Sequence, residues 1–119
     1  MNDRKIRNFI LNELSQFKFR TYTQGFKYLC EAIYICIKDI NALDNLTKFV
    51  FPKVGEKYNK SALRVKWCME QVIQTMYNNT SIEILCNYFN IESNMKISLK
   101  FIIYTVVCKY ENYLYKKSK

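Results

Sequence analysis

The chain has 119 residues, of which half are hydrophobic, and its 19 lysines and arginines against 10 acidic residues leave a formal net charge of +9. Two glycines and one proline are too few for the tight turns of an all-β fold. The net charge favours a polyanionic partner, either a nucleic acid or an anionic membrane face, although a solvated lysine-rich surface also accounts for it. We predict an all-α, single-domain bundle of about six helices over residues 1–119.

The cysteines, at positions 30, 36, 68, 86 and 108, are odd in number and form no Cys-x-x-Cys motif, and the chain has no histidine. A zinc site with the usual ligand spacing is therefore excluded, and thiols in apolar runs are typical of core residues in a reducing compartment. The N-terminal MNDRKIRNF is polar where a signal peptide is apolar, and no apolar run reaches the roughly 20 residues of a membrane span. We expect a cytoplasmic protein with no cofactor, no metal and no membrane contact.

Apolar residues at helical spacing predict a first helix from Asp3 to Phe17 and a second from near Thr23 to Asp39, with a loop between them. The second helix has a broad apolar face, which is typical of a helix at the centre of a bundle.

A third helix is predicted from Asp44 or Asn45 to Tyr58, with Pro52 marking either a kink or a late start. Ser61 is placed to cap a fourth helix ending near Tyr77. A short fifth helix ends at Phe89, and a last helix begins at Ser98.

Residues 45–77 match the pattern of a helix-turn-helix. This motif needs a small residue in its first helix, a turn residue four positions later, and small or β-branched apolar residues ten and thirteen positions later. Gly55, Asn59, Val65 and Cys68 meet these needs. Gly55 would let the helices approach, Asn59 would turn the chain, and Val65 and Cys68 would be buried beneath the third helix. Another kind of tight helical corner produces the same pattern.

Longer segments carry a family resemblance. GFKYLCEAI (25–33), DINALDNLTKFVFPKVGEKYN (39–59) and SLKFI (98–102) occur in that order, and Ser61-Ala62, Arg64-Val65 and Ile73 lie in the fourth helix. Together they resemble the DNA-binding domain of the sporulation master response regulator, stage zero sporulation protein A, over residues 25–108. The resemblance implies a six-helix bundle that binds double-stranded DNA as a transcription factor, often as tandem head-to-tail copies.

Two departures from the family pattern affect the expected function. The family's receiver domain is absent from these residues, so we expect no control by phosphorylation of such a domain. In the recognition helix, Lys66-Trp67 and Glu70-Gln71 stand where the family usually has Glu-Arg and Arg-His. Because arginine is the usual bidentate partner of guanine, we expect altered or weakened sequence specificity with retained affinity for the DNA backbone.

The candidate DNA-binding residues follow from this comparison. Donors for phosphates are Lys48, Lys60, Ser61, Arg64 and Lys66, while Gln71 has an amide suited to adenine and Trp67 lies on the expected outer face. Leu63 and Trp67, one helical turn apart, form a possible partner-binding surface, unless a rotated helix buries Trp67. The alternative hypothesis is therefore an interaction module that binds itself or a regulator and has lost operator recognition.

Catalysis has no support in the sequence, because it lacks histidine, a glycine-rich phosphate loop and an obvious pair of carboxylates. We therefore expect neither an enzyme nor a small-molecule substrate. Glu31, Asp39 and Asp44 are interpreted as capping or helix-surface residues. Core packing is the favoured role for the regularly spaced aromatic residues, which are Tyr28, Tyr34, Tyr58, Tyr88, Phe89, Phe101, Tyr104 and Tyr110.

Overall fold

The computed structural model describes residues 3–93 and 95–118, which form helices and contain no strand. The regular helices are α1 (Asp3–Leu14), α2 (Gln24–Lys38), α3 (Phe51–Tyr58), α4 (Ala62–Asn79), α5 (Ile82–Phe89) and α6 (Leu99–Lys117). A 3₁₀ segment (Ile40–Asn45) and a π-helical turn (Leu46–Val50) lie between α2 and α3. The predicted all-α bundle of six helices is confirmed.

The centre of the bundle is α2, which packs against α1, α3, α4 and α6. Its Leu29, Ala32 and Ile33 are fully buried, as the broad apolar face predicted. From the other side, α6 contributes Ile102, Ile103 and Val106 to the same core. Most of the predicted core aromatics are buried or packed against this core, but the prediction was wrong for Tyr104, whose side chain is exposed on α6.

Helix α1 ends at Leu14, three residues before the predicted end at Phe17. Phe17 lies in the turn that follows, where its ring stacks on Phe89 of α5 at a centroid distance of 5.5 Å. The next residue, Lys18, donates its backbone N–H to the Thr80 hydroxyl at 2.9 Å. The residues after α1 therefore join it to α5 and to the end of α4.

The segment from Ile40 to Tyr58 winds helically throughout, but the regular helix α3 begins only at Phe51. Pro52 lies in its first turn, where a missing backbone N–H has no helical partner to lose, so the late start is the correct alternative. Phe51 donates its N–H to the Leu46 carbonyl five residues back, which makes the preceding turn π-helical.

Side-chain oxygens cap the N-termini of four helices, among them α4, for which the cap by Ser61 was predicted. Thr23, Ser61, Ser81 and Ser98 each accept a hydrogen bond from the backbone N–H three residues later, at the starts of α2, α4, α5 and α6. Asp39 caps the 3₁₀ segment by accepting from the Asn41 N–H at 3.1 Å. Helix α4 runs slightly further than predicted, since it ends at Asn79 rather than near Tyr77.

The interpretation of Glu31 as a capping or helix-surface residue was wrong. Its side chain is buried on α2, where the carboxylate accepts hydrogen bonds from Arg7 of α1 at 3.0 Å and from Lys57 of α3 at 2.7 Å. Periodicity does not reveal this role because the partners are distant in sequence. The cluster joins the first helix of the helix-turn-helix to the centre of the bundle.

Candidate nucleic-acid interface

The turn between α3 and α4 has the geometry that its residues predicted. Asn59 adopts the left-handed conformation, with φ 57° and ψ 50°, and the Lys60 N–H then donates to the Gly55 carbonyl at 2.9 Å. A Cβ atom on Gly55 would lie 2.3 Å from the Lys60 carbonyl oxygen. The small residue is therefore needed because the turn folds back onto α3, before α4 begins.

The inner face of α4 is apolar, and Val65, Met69 and Met76 are fully buried there. Cys68, predicted to be buried beneath the third helix, is only half-buried. Its backbone carbonyl lies against Gly25 of α2, where an added Cβ would approach the carbonyl oxygen to 2.3 Å. This close approach of α2 to α4 was not predicted, and its signal in the sequence is a glycine inside an apolar helix.

The opposite face of α4 carries Leu63, Trp67 and Gln71, spaced one turn apart; we call these three residues the outer stripe. Leu63 is 78% exposed and Trp67 51% exposed, so the rotated helix that would bury Trp67 does not occur. The Arg64 guanidinium lies over the Trp67 ring, 5.2 Å from its centroid, in cation–π geometry. An exposed apolar surface bordered by cationic groups therefore runs along α4.

One flank of the outer stripe is a cleft of about 520 Å³ between the π-helical turn, α4 and the start of α6. Lys48, Lys66 and Lys100 line it, and we call it the lysine cleft; its two acidic lining residues are Glu70 on α4 and Asp44 in the 3₁₀ segment. Lys48 and Lys66 were predicted to bind DNA, whereas Lys100 was missed. The sequence does contain a signal for Lys100. A cation in the first turn of a helix interacts unfavourably with the helix dipole, so its presence there indicates a role other than stabilising the helix.

The remaining predicted residues lie around the same end of α4. Ser61, Arg64, Lys66 and Trp67 share a concave surface with Leu63, and Lys60 is exposed in the turn beside them. The Ser61 oxygen accepts from the Arg64 N–H at 3.1 Å, which leaves its hydroxyl proton available for a phosphate. On the far flank, Trp67 and Gln71 border a depression with Arg20, another basic residue missed in the sequence.

Within residues 3–93 and 95–118, the side chains form no site for metal or thiol chemistry. No three His, Cys, Asp or Glu side chains in this part of the chain are grouped to hold a metal ion. Burial raises the pKa of Cys30 and of Cys36 to about 12, so both remain protonated thiols at neutral pH. None of the described helices is long and apolar enough to cross a membrane.

A helical bundle with a tight three-residue turn before an exposed, cation-flanked helix is a domain of the helix-turn-helix class. The family model described as "Sporulation initiation factor Spo0A C terminal" matches residues 10–107. The chain belongs to this family, which comprises the DNA-binding effector domains of sporulation regulators. The family resemblance drawn from the sequence over residues 25–108 is confirmed.

Proposed function

We propose that this chain is a cytoplasmic transcriptional regulator that binds double-stranded DNA by placing α4 in the major groove. One observation carries the proposal: the exposed face of α4 is bordered by cations on both sides, with the lysine cleft on one and Arg64 on the other. Such an arrangement lets cations meet phosphates while the centre of the helix faces base edges. Membership of the family supports the same partner.

The proposal includes an altered sequence readout. The middle of the exposed face of α4 is formed by the outer stripe, Leu63, Trp67 and Gln71, and the cationic residues lie on either side of it. Guanine is usually bound by a bidentate arginine. The family has arginines at two positions of this helix, where this chain has Trp67 and Glu70. We therefore propose that backbone affinity is retained and that the preferred sequence differs from the family's usual site.

Titration of a labelled random-sequence duplex at about 50 and about 200 mM salt tests the proposal, since each phosphate neutralised contributes roughly 0.9 to the slope of log K against log salt. We expect a steep slope for the wild type. Lys48→Ala, Lys66→Ala and Lys100→Ala should each weaken binding and reduce the slope by about one. Lys116→Ala is the matched control, because this exposed lysine lies 16 residues beyond Lys100 on α6, about 24 Å away.

Two results would contradict the proposal. The first is no binding to any duplex at low salt. The second is binding that Lys116→Ala weakens as much as the three cleft substitutions do, because the affinity would then come from net charge alone.

Exposure of Leu63 and Trp67 favours a second candidate function, an interaction module that binds itself or a regulator through this surface. A tandem assembly of two copies on DNA is another form of self-association. Light scattering without DNA separates these possibilities: if Trp67→Ala converts a dimer to a monomer while DNA affinity is unchanged, the outer stripe is a protein interface. A wild-type monomer that assembles only on DNA supports the first function.

A further inference from the structure

We infer that the outer stripe recognises A·T base pairs, with Trp67 packing on thymine methyl groups in the major groove and Gln71 binding adenine. This inference rests on the proposed function and concerns its sequence preference. It assigns a specificity role to Trp67 and gives Leu63 the same kind of contact nearer the start of α4.

The outer stripe has the shape and length of a surface that contacts several base pairs. Leu63, Trp67 and Gln71 lie on successive turns of α4, opposite the buried Val65, Met69 and Ile73. From Leu63 to Gln71 the helix rises about 12 Å, which corresponds to three or four base-pair steps. The outer stripe is therefore long enough to contact several consecutive base pairs.

The side chains of the outer stripe are chemically complementary to A·T pairs. Leu63 and the Trp67 ring present apolar surface, which gains nothing against a phosphate but is favourable against another apolar group. The thymine C5 methyl is the apolar group at the base edges of the major groove. The Gln71 amide supplies one donor and one acceptor, which match the N7 and N6 atoms of adenine. Both ends of the outer stripe therefore favour A·T pairs.

The distribution of charge around the outer stripe also favours DNA. Lys48, Lys66 and Lys100 lie on one side and outnumber the cleft's acidic residues, Asp44 and Glu70, while Arg64 and Arg20 lie on the other side. This order, cation then apolar centre then cation, is complementary to a major groove whose walls are phosphates and whose floor is base edges. A protein partner of ordinary surface would have no need of both cationic borders, so DNA is the favoured occupant.

The Arg64 guanidinium, 5.2 Å from the Trp67 centroid, also restricts the ring. The backbone of Arg64 is held in place, because its N–H donates a hydrogen bond to the Ser61 side chain that caps α4. A tryptophan held against a cation on one face offers its other surface to the groove, and less rotamer freedom is lost when the ring is buried on DNA.

The test compares four duplexes of about 20 base pairs, long enough for a single helix-turn-helix. Their repeats are alternating A·T, A·U, G·C and G·5-methylcytosine. Replacing thymine by uracil removes only the methyl group, and 5-methylcytosine adds one at the equivalent position. We expect the wild type to bind A·T about three- to tenfold more tightly than A·U, from one or two buried methyl groups. It should also prefer the methylated G·C duplex to the unmethylated one.

Two variants assign the preference to a residue. Trp67→Ala should lower the A·T to A·U ratio, leaving only the part that Leu63 contributes, while the salt dependence stays steep. Tyr113→Ala is the matched control, since it removes a 44% exposed aromatic ring near the far end of α6 and should keep the wild-type ratio. Gln71→Ala should lower affinity for both A·T and A·U duplexes, because both contain adenine.

Equal wild-type binding to A·T and A·U, with a steep salt slope, would overturn the inference and leave the proposed function intact. An A·T to A·U ratio that is unchanged in Trp67→Ala would also overturn it. If no duplex binds at low salt, the proposed function fails and the inference fails with it. Loss of self-association rather than of the methyl preference in Trp67→Ala would identify the surface as a protein interface.

Discussion

At the scale of single residues, Glu31 shows how one buried carboxylate connects three helices. Burial by itself would raise the pKa of this carboxyl group, but hydrogen bonds from Lys57 and Arg7, together with their charges, outweigh it and leave the pKa below the ordinary value. Its two partners are each about half exposed, so they keep most of their hydration while neutralising the buried charge. The ionised form of Glu31 is therefore the form that the fold stabilises.

Glu31→Gln should destabilise the protein at neutral pH, and Glu31→Ala should cost about 1–3 kcal/mol of the free energy of unfolding, because two charge-assisted hydrogen bonds are lost. Because the pKa of Glu31 is lowered in the folded state, its contribution is complete above the unfolded pKa. It is lost as the pH falls through the lower folded pKa. In urea unfolding, the difference between wild type and Glu31→Gln should therefore be clear at about pH 7 and shrink at about pH 3.

Asp3→Asn is the control for this prediction. Asp3 also forms an ion pair, with Lys38 at 3.1 Å, but both side chains are exposed, and such pairs contribute little. A Glu31→Gln effect no larger than that of Asp3→Asn would contradict the role assigned to the buried cluster. A difference that stays constant between the two pH values would contradict the assigned ionisation.

At the scale of secondary-structure elements, the approach of α2 to α4 determines how the proposed recognition helix is presented. Gly25 permits that approach, since an added Cβ would lie 2.3 Å from the Cys68 carbonyl oxygen and 3.2 Å from the Val72 Cβ. The carbonyl belongs to the backbone of α4 and cannot rotate aside as a side chain can. Helix α4 is thus positioned by a backbone contact with the central helix as well as by its own apolar face.

Gly25→Ala should destabilise the protein, although alanine is the better helix former by about 1 kcal/mol. The steric conflict outweighs this gain, and overpacking of this kind costs about 1–3 kcal/mol. Thermal unfolding measures the net effect. Gln24→Ala, at the adjacent exposed position, is the control and should change the midpoint little. A stabilised Gly25→Ala variant would show that the two helices separate easily, against the close approach described above.

At the scale of the whole molecule, α2 gives the bundle a single centre against which α1, α3, α4 and α6 all pack. Because these helices share core residues on α2, none of them can lose its packing without exposing the core of the others. The net charge of +9 acts at the same scale. It favours polyanions in general, while the fold brings several of the cations to the borders of α4.

We therefore expect one cooperative unfolding transition. Trp67, the one tryptophan of the chain, reports on α4 by fluorescence, and circular dichroism reports on all helices. The two urea transitions should coincide, and Ile33→Ala should shift both together by about 2–5 kcal/mol, because Ile33 is fully buried on α2. A fluorescence transition that precedes the loss of helix would show that α4 unfolds separately from the bundle.

Most of the secondary structure was predictable because its determinants are local. Ser61, Ser81 and Ser98 cap helices through bonds to residues three positions away, and Asn59 adopts the left-handed turn by its own conformational tolerance. Pro52 left two alternatives open, because a proline is accommodated either at a kink or in a first turn. Which one occurs depends on the packing of the residues before it.

The candidate site was predictable only in part, for the same reason. Lys66 and Trp67 follow from their positions along one helix, where the angular spacing of residues is known. Lys100 and Arg20 join the site from α6 and from the loop before α2, and Glu31 finds its partners 24 and 26 residues away. Contacts of this kind depend on how helices pack, which the spacing within one helix does not describe.

The sequence by itself thus determined the helices, their caps, the tight turn at Asn59 and the family to which the chain belongs. Only the tertiary structure decided that Trp67 faces outward beside Arg64, that Lys100 joins Lys48 and Lys66 in one cleft, and that Glu31 is buried. The physical reason is range. Contacts within a helix link residues three or four positions apart. The exposure of a side chain, and the charged groups that lie near it, depend instead on surfaces that meet only when the whole bundle packs.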